Sequence, residues 1–515
     1  MAYAKIIQDG NTLIDLTQDT VNAESMLSGT TAHKNDGTVV TGTIQNQAAQ
    51  TIIPTTTDQT IASGKYLTGT QTIKGDANLM AANIAKDVTI FGVTGTHEGG
   101  GGEISGTDVM FYDYDGSVVA GYSAADFASL TELPANPTHT GLTAQGWNWS
   151  LADAKTYVAK YEKLNIGQMY ITDDGKTRVY IHLTQGRTSP RLGVCPNGTV
   201  DVDWGDGTTH DTLTGTSTST VKWTPTHNYA TPGDYVIKLT VTGSMNFYGS
   251  STSKQDSGLL RYSSSSDARN YAYHNAITKV EIGTGVTSVR DNAFRSCYSI
   301  SSITIPNCIT SVGGYAFYEC YSLSSIVIPD SVTNIEDFAF YSCNSLSSIV
   351  IPDNVTSIEF GVLNSCSSLS SIVIPDSVTS IGERAFYSCN SLSSIVIPDS
   401  VTSIGSQAFC NCRSLSSITI PDGVTSIGNY MFQYCYSLSS ITILDGVTSI
   451  GTYAFSTCSS VKEFHILPTT PPTLANTNAF QSIPADCIIY VPAASLETYK
   501  TATNWSTYAS KMQGE

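Results

Sequence analysis

At 515 residues the chain has room for several domains, yet only 13% of it is charged and the formal net charge is −18, where roughly 25% charged is usual. That balance excludes a nucleic-acid binder, which needs clustered Lys and Arg to displace phosphate counterions, and gives no attraction to anionic membranes. No apolar run approaches the roughly 18 residues of a membrane span, and "MAYAKIIQDGNTLIDLTQ" lacks the basic-then-apolar order of a signal peptide; the expectation is a soluble chain made in the cytoplasm, without membrane insertion.

Residues 1–98 alternate short β-rich runs with Gly/Asn/Asp turns, as in "VVTGTI" and "YLTGTQTIKG", which predicts small hairpins. They offer little for a large core, so neighbouring chains are expected to supply the missing burial. "EGGGGE" makes 99–103 a flexible linker. Residues 104–190 predict an α+β module. "VMFYDYDGSVVAGYS" is a hairpin around Asp115-Gly116. "SLADAKTYVAKYEKL" is a helix capped by Ser150, with Ala154, Tyr157, Val158 and Tyr161 on one face. "QMYITDDGKTRVYIHL" is a second hairpin around Asp174-Gly175. Residues 191–247 are all-β, with Tyr235, Ile237, Leu239 and Val241 alternating as a half-buried strand. Residues 248–275 form a Ser/Tyr-rich linker.

From 276 to 465 the chain repeats itself every 23 residues: "SLSSIVIPDSVTSIGERAFYSCN" is followed by "SLSSIVIPDSVTSIGSQAFCNCR". A fixed period over so many copies predicts a solenoid. In one copy Ile372 and Ile374 face inward on a strand while Ser371 and Val373 face outward. Pro375-Asp376 turns the chain, Val378 and Ile381 point inward, and "ERAF" makes a short helical turn burying Phe386. Eight of the twelve Cys fall at 297, 320, 343, 366, 389, 412, 435 and 458. Stacked rungs would hold their Cβ atoms nearly a strand spacing apart, beyond the ~3.8 Å a disulfide prefers, so reduced, buried thiols are expected. Residues 466–515 leave the period and predict a strand and a helix from about Ala493, covering the last rung. The fold expected is mainly β and multidomain: a small β N-terminal region, an α+β module, a β-sandwich, and a capped leucine-rich-repeat solenoid.

Several stretches resemble known families. The motif "AFYSCNSLSSIVIPDSVTSIG" is similar to the BspA-type leucine-rich repeats, and "IYVPAASLETYKTATNWSTYA" to the unit that closes such arrays; the resemblance implies adhesion to surface ligands. "VDWGDG" with "HNYATPGDYVIKLTVTG" resembles the PKD domain, a β-sandwich. Residues 110–149 are similar to the internalin-type β-grasp repeat. "LSGTTAHKNDGTVVTGTI" and "VTIFGVTGT" resemble the N-terminal regions of tailed-bacteriophage tail-fibre and related structural proteins. That resemblance implies attachment of 1–98 to other virion tail or baseplate proteins and a homotrimer. The missing export signal, and the absence of the Gly and apolar tail a wall-sorting signal would need after "ILPTTPP" (466–472), favour a virion component.

Little in the sequence carries catalysis. Asp201, Asp203 and Asp206 have a spacing that could hold Ca²⁺, but an acidic turn of this kind reads as structural. His210 and His227 lie near it, without an H-E-x-x-H or G-x-S-x-G pattern. Glu336, Asp337, Glu359, Glu383 and Arg384 occupy one variable corner of the repeats and read as a solvated turn. No enzyme, metal or cofactor is expected. Function is sought instead in two columns that vary between repeats. One contains Tyr318, Tyr341 and Tyr387. The other contains Tyr298, Tyr321, Asn344, Asn390, Arg413 and Tyr436. Such residues make adaptable binding surfaces and suit sugars. The expectation is therefore a virion tail-fibre-like protein whose repeats bind a bacterial surface glycan or protein receptor. A bacterial cell-surface adhesin and a tail-spike-like polysaccharide depolymerase are the alternatives.

Overall fold

The computed structural model describes residues 108–161, 163–248, 259–261, 273 and 275–515, together with short strands nearer the N-terminus. Residues 1–102 form one unit and 103–515 another. In the first, antiparallel pairs join Lys5–Gln8 to Asn11–Asp15, Thr31–His33 to Val39–Thr41, Gln59–Ile61 to Gln71–Ile73, and Thr89–Ile90 to Val93–Thr94. These are the small hairpins the sequence predicts. The linker at 99–103 and most of 248–275 lie outside the described residues.

The second unit begins with β1 (Val109–Tyr112) and β2 (Val118–Tyr122), an antiparallel pair turning at Gly116, whose φ is 87°. Then come α1 (Ala124–Ser129), β3 (Leu142–Trp147), α2 (Leu151–Tyr161) and β4 (Leu164–Thr172). The sheet order is β2-β1-β4-β3. Ser150 caps α2 as expected: its Oγ accepts from the Asp153 N–H at 3.1 Å. Ala154, Tyr157 and Val158 are buried under the helix.

β5 (Thr177–Leu183), β6 (Arg191–Asp203), β7 (Asp211–Thr216), β8 (Gly233–Phe247), β9 (Ile277–Glu281) and β10 (Ser302–Thr304) build a second sheet in the order β7-β6-β8-β5-β9-β10. The hairpin predicted over 168–183 survives only as its turn, where Gly175 N–H donates to Thr172 O at 3.2 Å. Its two arms separate because β4 has neighbours on both edges, β1 and β3, while β5 lies between β8 and β9. The all-β stretch 191–247 is thus continuous with β5 before it and the first repeats after it. Met245 and Phe247 are fully buried in the core shared with the repeats, and the Phe247 ring lies 5.0 Å from Phe294. A solenoid needs its first rung covered as well as its last, and this sheet covers it.

Most repeats make two short parallel strands, in register 23 residues apart. On one side Ser348–Val350 pairs with Ser371–Val373. On the next, Ser357–Ile358 pairs with Ser380–Ile381, and that with Ser403–Ile404. Ile372, Ile374, Val378, Ile381, Phe386 and Cys389 all point inward and are buried. Successive Phe rings stack at 5.3 Å for Phe317–Phe340 and Phe386–Phe409. The cap ends the array with parallel strands at Ile488–Val491 and Met512–Gly514 and a helix at Leu496–Thr501. Trp505 is buried there, and its indole N–H donates to Pro472 O at 2.6 Å.

The expectation that Val373 faces solvent needs correction. It points out of the solenoid but is 5% exposed, as Val350 is 7% and Val327 8%, because the α+β module lies on this strip, while Val396 further along is 37% exposed. Val350 and Val373 join the module's own core with Phe111, Ile166 and Tyr157. Asn165 Nδ2 donates to Ser371 Oγ at 3.0 Å, and Tyr157 Oη to Ile374 O at 3.1 Å.

Candidate functional site

The third side of each rung is a chain of tight turns, in which the turn expected over "ERAF" is present but holds a left-handed residue at Arg384 rather than being helical throughout. Tyr387 N–H donates back to Arg384 O at 3.1 Å, and Cys389 N–H to Phe386 O at 3.2 Å. The alternating amides of Arg384, Phe386 and Ser388 donate to Ser406, Ala408 and Cys410 carbonyls of the next rung at 3.1, 2.9 and 2.8 Å. Arg384 and Ser388 are left-handed, with φ of 57° and 58°. So are their equivalents in other rungs, among them Tyr315, Phe338, Gln407 and Tyr430. This conformation costs a non-glycine residue ~1–2 kcal/mol; the inter-rung hydrogen bonds hold it in place.

These turns set the cysteines too. Cys389 Sγ donates to Leu363 O at 3.3 Å, Cys366 to Phe340 O at 3.1 Å and Cys412 to Phe386 O at 3.1 Å. All twelve thiols are unpaired, and all but Cys308 are buried. Burial pushes the Cys366 thiol up to about 12. The column is structural, as expected, and it donates hydrogen bonds as well as filling space.

Because the turns aim residues outward at positions three apart, a groove of about 640 Å³ runs between two columns across seven rungs. One wall holds Tyr315, Phe338, Arg384, Gln407 and Tyr430, and the other holds Arg295, Tyr318, Tyr341, Asn364, Tyr387, Cys410 and Gln433. Tyr318 and Tyr341 stack at 4.5 Å, and the Arg295 guanidinium sits 4.3 Å above the Tyr318 ring. Tyr315 and Phe338 stack at 5.1 Å. Burial first, and then Glu319 and Tyr341, hold the Tyr318 phenol above its usual range. It therefore stays a hydrogen-bond donor. Burial likewise pushes the Cys410 thiol up to about 11, though Arg384 pulls it down, which leaves it unreactive.

Of the predicted binding residues, Tyr318, Tyr341 and Tyr387 line this groove. The other six form a neighbouring column. Tyr298 and Tyr321 stack there at 4.9 Å, and Arg413 lies 5.7 Å over Tyr436. Asn344 is exposed, while Asn390 is half-buried with Oδ1 enclosed and unpartnered. The opposite wall is not among the predicted binding residues, and Arg384 in it is expected only as part of a solvated turn. The signal was present: the position three before Tyr387 varies from repeat to repeat just as Tyr387 does.

Elsewhere the acidic turn at 201–206 is held by its own contacts. Asp206 Oδ1 accepts from Thr208 N–H at 3.1 Å, Asp206 pairs with His227 at 2.8 Å, and Asp201 pairs with His210 at 2.9 Å. Among the described residues no group of three or more His, Cys, Asp or Glu side chains is placed to hold a metal ion, and no helix is long and apolar enough to cross a membrane.

Residues 267–393 and 379–491 match the family model of the BspA type leucine rich repeat region, in six copies. Solved structures show similar chains. A leucine-rich repeat protein from Bacteroides ovatus is 24% identical over 47% of this chain and 59% of its own length, with a TM-score of 0.34. A leucine rich cell surface protein from Faecalibacterium prausnitzii is 26% identical over 53% of this chain and 90% of its own, with a TM-score of 0.34. The T. pallidum leucine rich repeat protein is 31% identical over 36% and 84%, with a TM-score of 0.29. No curated protein matches the sequence.

Proposed function

Because this chain carries repeats of the BspA leucine-rich type, we propose that it is a receptor-binding protein whose solenoid holds a bacterial surface glycan or protein in the groove of its turn side. The groove itself carries the reading: aromatic rings, amides and arginines line it over seven rungs, roughly 30 Å at one strand spacing per rung. The strip on another side is a poorer candidate, since the α+β module covers Val327, Val350 and Val373. On the resemblance of residues 1–98, the chain is a virion tail-fibre-like component, attached through that region to tail or baseplate proteins and assembled as a homotrimer. Three weak sites on one particle would then act together through avidity.

The test is binding of the fluorescent full-length protein to host cells. Tyr341→Ala and Tyr387→Ala should each weaken binding at least tenfold with the melting profile retained; unchanged binding by both removes the groove from the function. Immunogold labelling of purified virions is expected to decorate the particle. Label confined to bacterial surfaces replaces the tail-fibre assignment by a cell-surface adhesin.

A further inference from the structure

The groove's chemistry narrows its ligand, on the premise that the groove is the binding site. The whole chain carries 43 acidic residues against 25 basic ones, yet the lining holds two arginines and no carboxylate. Arg295 makes no ion pair among the described residues; its Nη1 donates to Asn292 Oδ1 at 3.1 Å and its plane rests on Tyr318. Arg384 pairs with the exposed Glu383 at 3.6 Å and donates to Gln407. The lining thus carries positive charge in an acidic protein, with Glu383 beside Arg384 and Glu319 near Tyr318 just outside it, which favours an anionic ligand over a cationic one.

The ring ladder is also interrupted. Tyr318 and Tyr341 stack, but the next rung places Asn364 in the tyrosine column and Gly361 in the facing one, and Tyr387 follows one rung later. Phe338 leans into the room left at Gly361, where a Cβ would meet its ring at 2.6 Å. Beside it, Tyr341 and Tyr387 stand two rungs apart, about 10 Å at the strand spacing. That is one missing ring in a stack. Asn364 lies at the base, 6% exposed, and its Oδ1 accepts from Ser365 Oγ at 2.8 Å. Arg384 is on the same rung as Tyr387.

We propose that the groove binds an anionic polysaccharide along the solenoid axis, with one pyranose ring inserted between Tyr341 and Tyr387 over Asn364 and a sugar carboxylate on Arg384. Tyrosine faces take the C–H surface of the ring, and the amides and the guanidinium take its hydroxyls and charge. The full-length protein would be titrated with polygalacturonate, alginate and hyaluronan, each beside its carboxyl-reduced counterpart. At least one acidic polymer should bind tenfold or more tighter than its reduced form, and more weakly as salt rises. Arg384→Gln should lose most of that preference. Asn364→Tyr completes the ladder with a residue its column already uses, so the fold should be retained while binding falls at least tenfold. Equal binding of acidic and reduced polymers overturns the proposal, as does undiminished binding by Asn364→Tyr. Failure of every polymer, with host-cell binding still lost in Tyr341→Ala, overturns it while sparing the groove as the receptor site.

Discussion

Replacing Gly167 by Ala tests how the α+β module sits on the solenoid. Gly167 lies in β4, and a Cβ there would meet Val327 Cγ2 at 2.6 Å, Cγ1 at 2.7 Å and Cβ at 3.2 Å. Ordinary carbon contacts are ~3.5–4.0 Å, so each methyl is about 1 Å too close. Both methyls point at Gly167, so rotating χ1 of Val327 leaves at least one of the two positions filled. The module must therefore lift from the strip or the rung must yield, and overpacking of this kind costs about 1–3 kcal/mol. Val327→Ala should itself be mildly destabilising, but the two changes together should cost less than their sum. Chemical denaturation of all four proteins, with hydrogen exchange read over 164–172, measures the coupling. Strict additivity, or a Gly167→Ala protein as stable as the parent, would refute the packing described for this interface.

Four further outcomes follow from the same geometry. Asp330 is pushed up to about 6, first by burial and then by the neighbouring carboxylates of Asp353 and of Asp153 in α2. The folded state then binds protons that the unfolded chain releases near ~3.9, so stability should fall as pH rises from about 4 through 6; Asp330→Asn should flatten that slope in denaturation at several pH values. Cys366→Ala removes a buried thiol and its 3.1 Å bond to Phe340 O, and should cost about 1–3 kcal/mol. A thiol reagent should reach at most Cys308 in the folded protein, the other thiols reacting only with denaturant. Trp505→Ala should cost about 3–5 kcal/mol and raise exchange in the last rungs before the first ones.

The repeats were legible because each inward position is the same residue type 23 apart: a solenoid core is a lattice, and a lattice is periodic in sequence. The docked module was not. Nothing in "SIVI" distinguishes Val373 beneath it from Val396 beyond it, since what covers Val373 lies some 200 residues away in the chain. A trace existed on the other partner: β4 is buried at almost every position, and "LNIGQMYIT" lacks the polar alternation of a strand with one wet face. The predicted hairpin at 168–183 failed for a related reason. The turn chemistry at Asp174-Gly175 was correct, but a turn decides only where a chain reverses, and the free edges of both strands were already taken.

The candidate groove was half legible for a reason that lies in the turns. Reading "ERAF" as a single helical turn leaves Arg384 and Tyr387 as neighbours on a surface but gives no cause for them to form a continuous trough. The left-handed residues supply it. By donating alternate amides forward to the next rung, the turns stay in register along the array, so each outward column is straight and adjacent columns stay parallel. Near-identity of the inward residues and variability of the outward ones are then two sides of one device. The hydrogen-bonded turn and the Phe and Cys beneath it fix the position of every side chain in the columns, and the identity of that side chain is left free. A break in such a column leaves room for one ring where Asn364 replaces a tyrosine, while Phe338 takes up the room at Gly361. If the groove binds as proposed, the exceptional rung, rather than the recurrent one, is where its choice of ligand would be set.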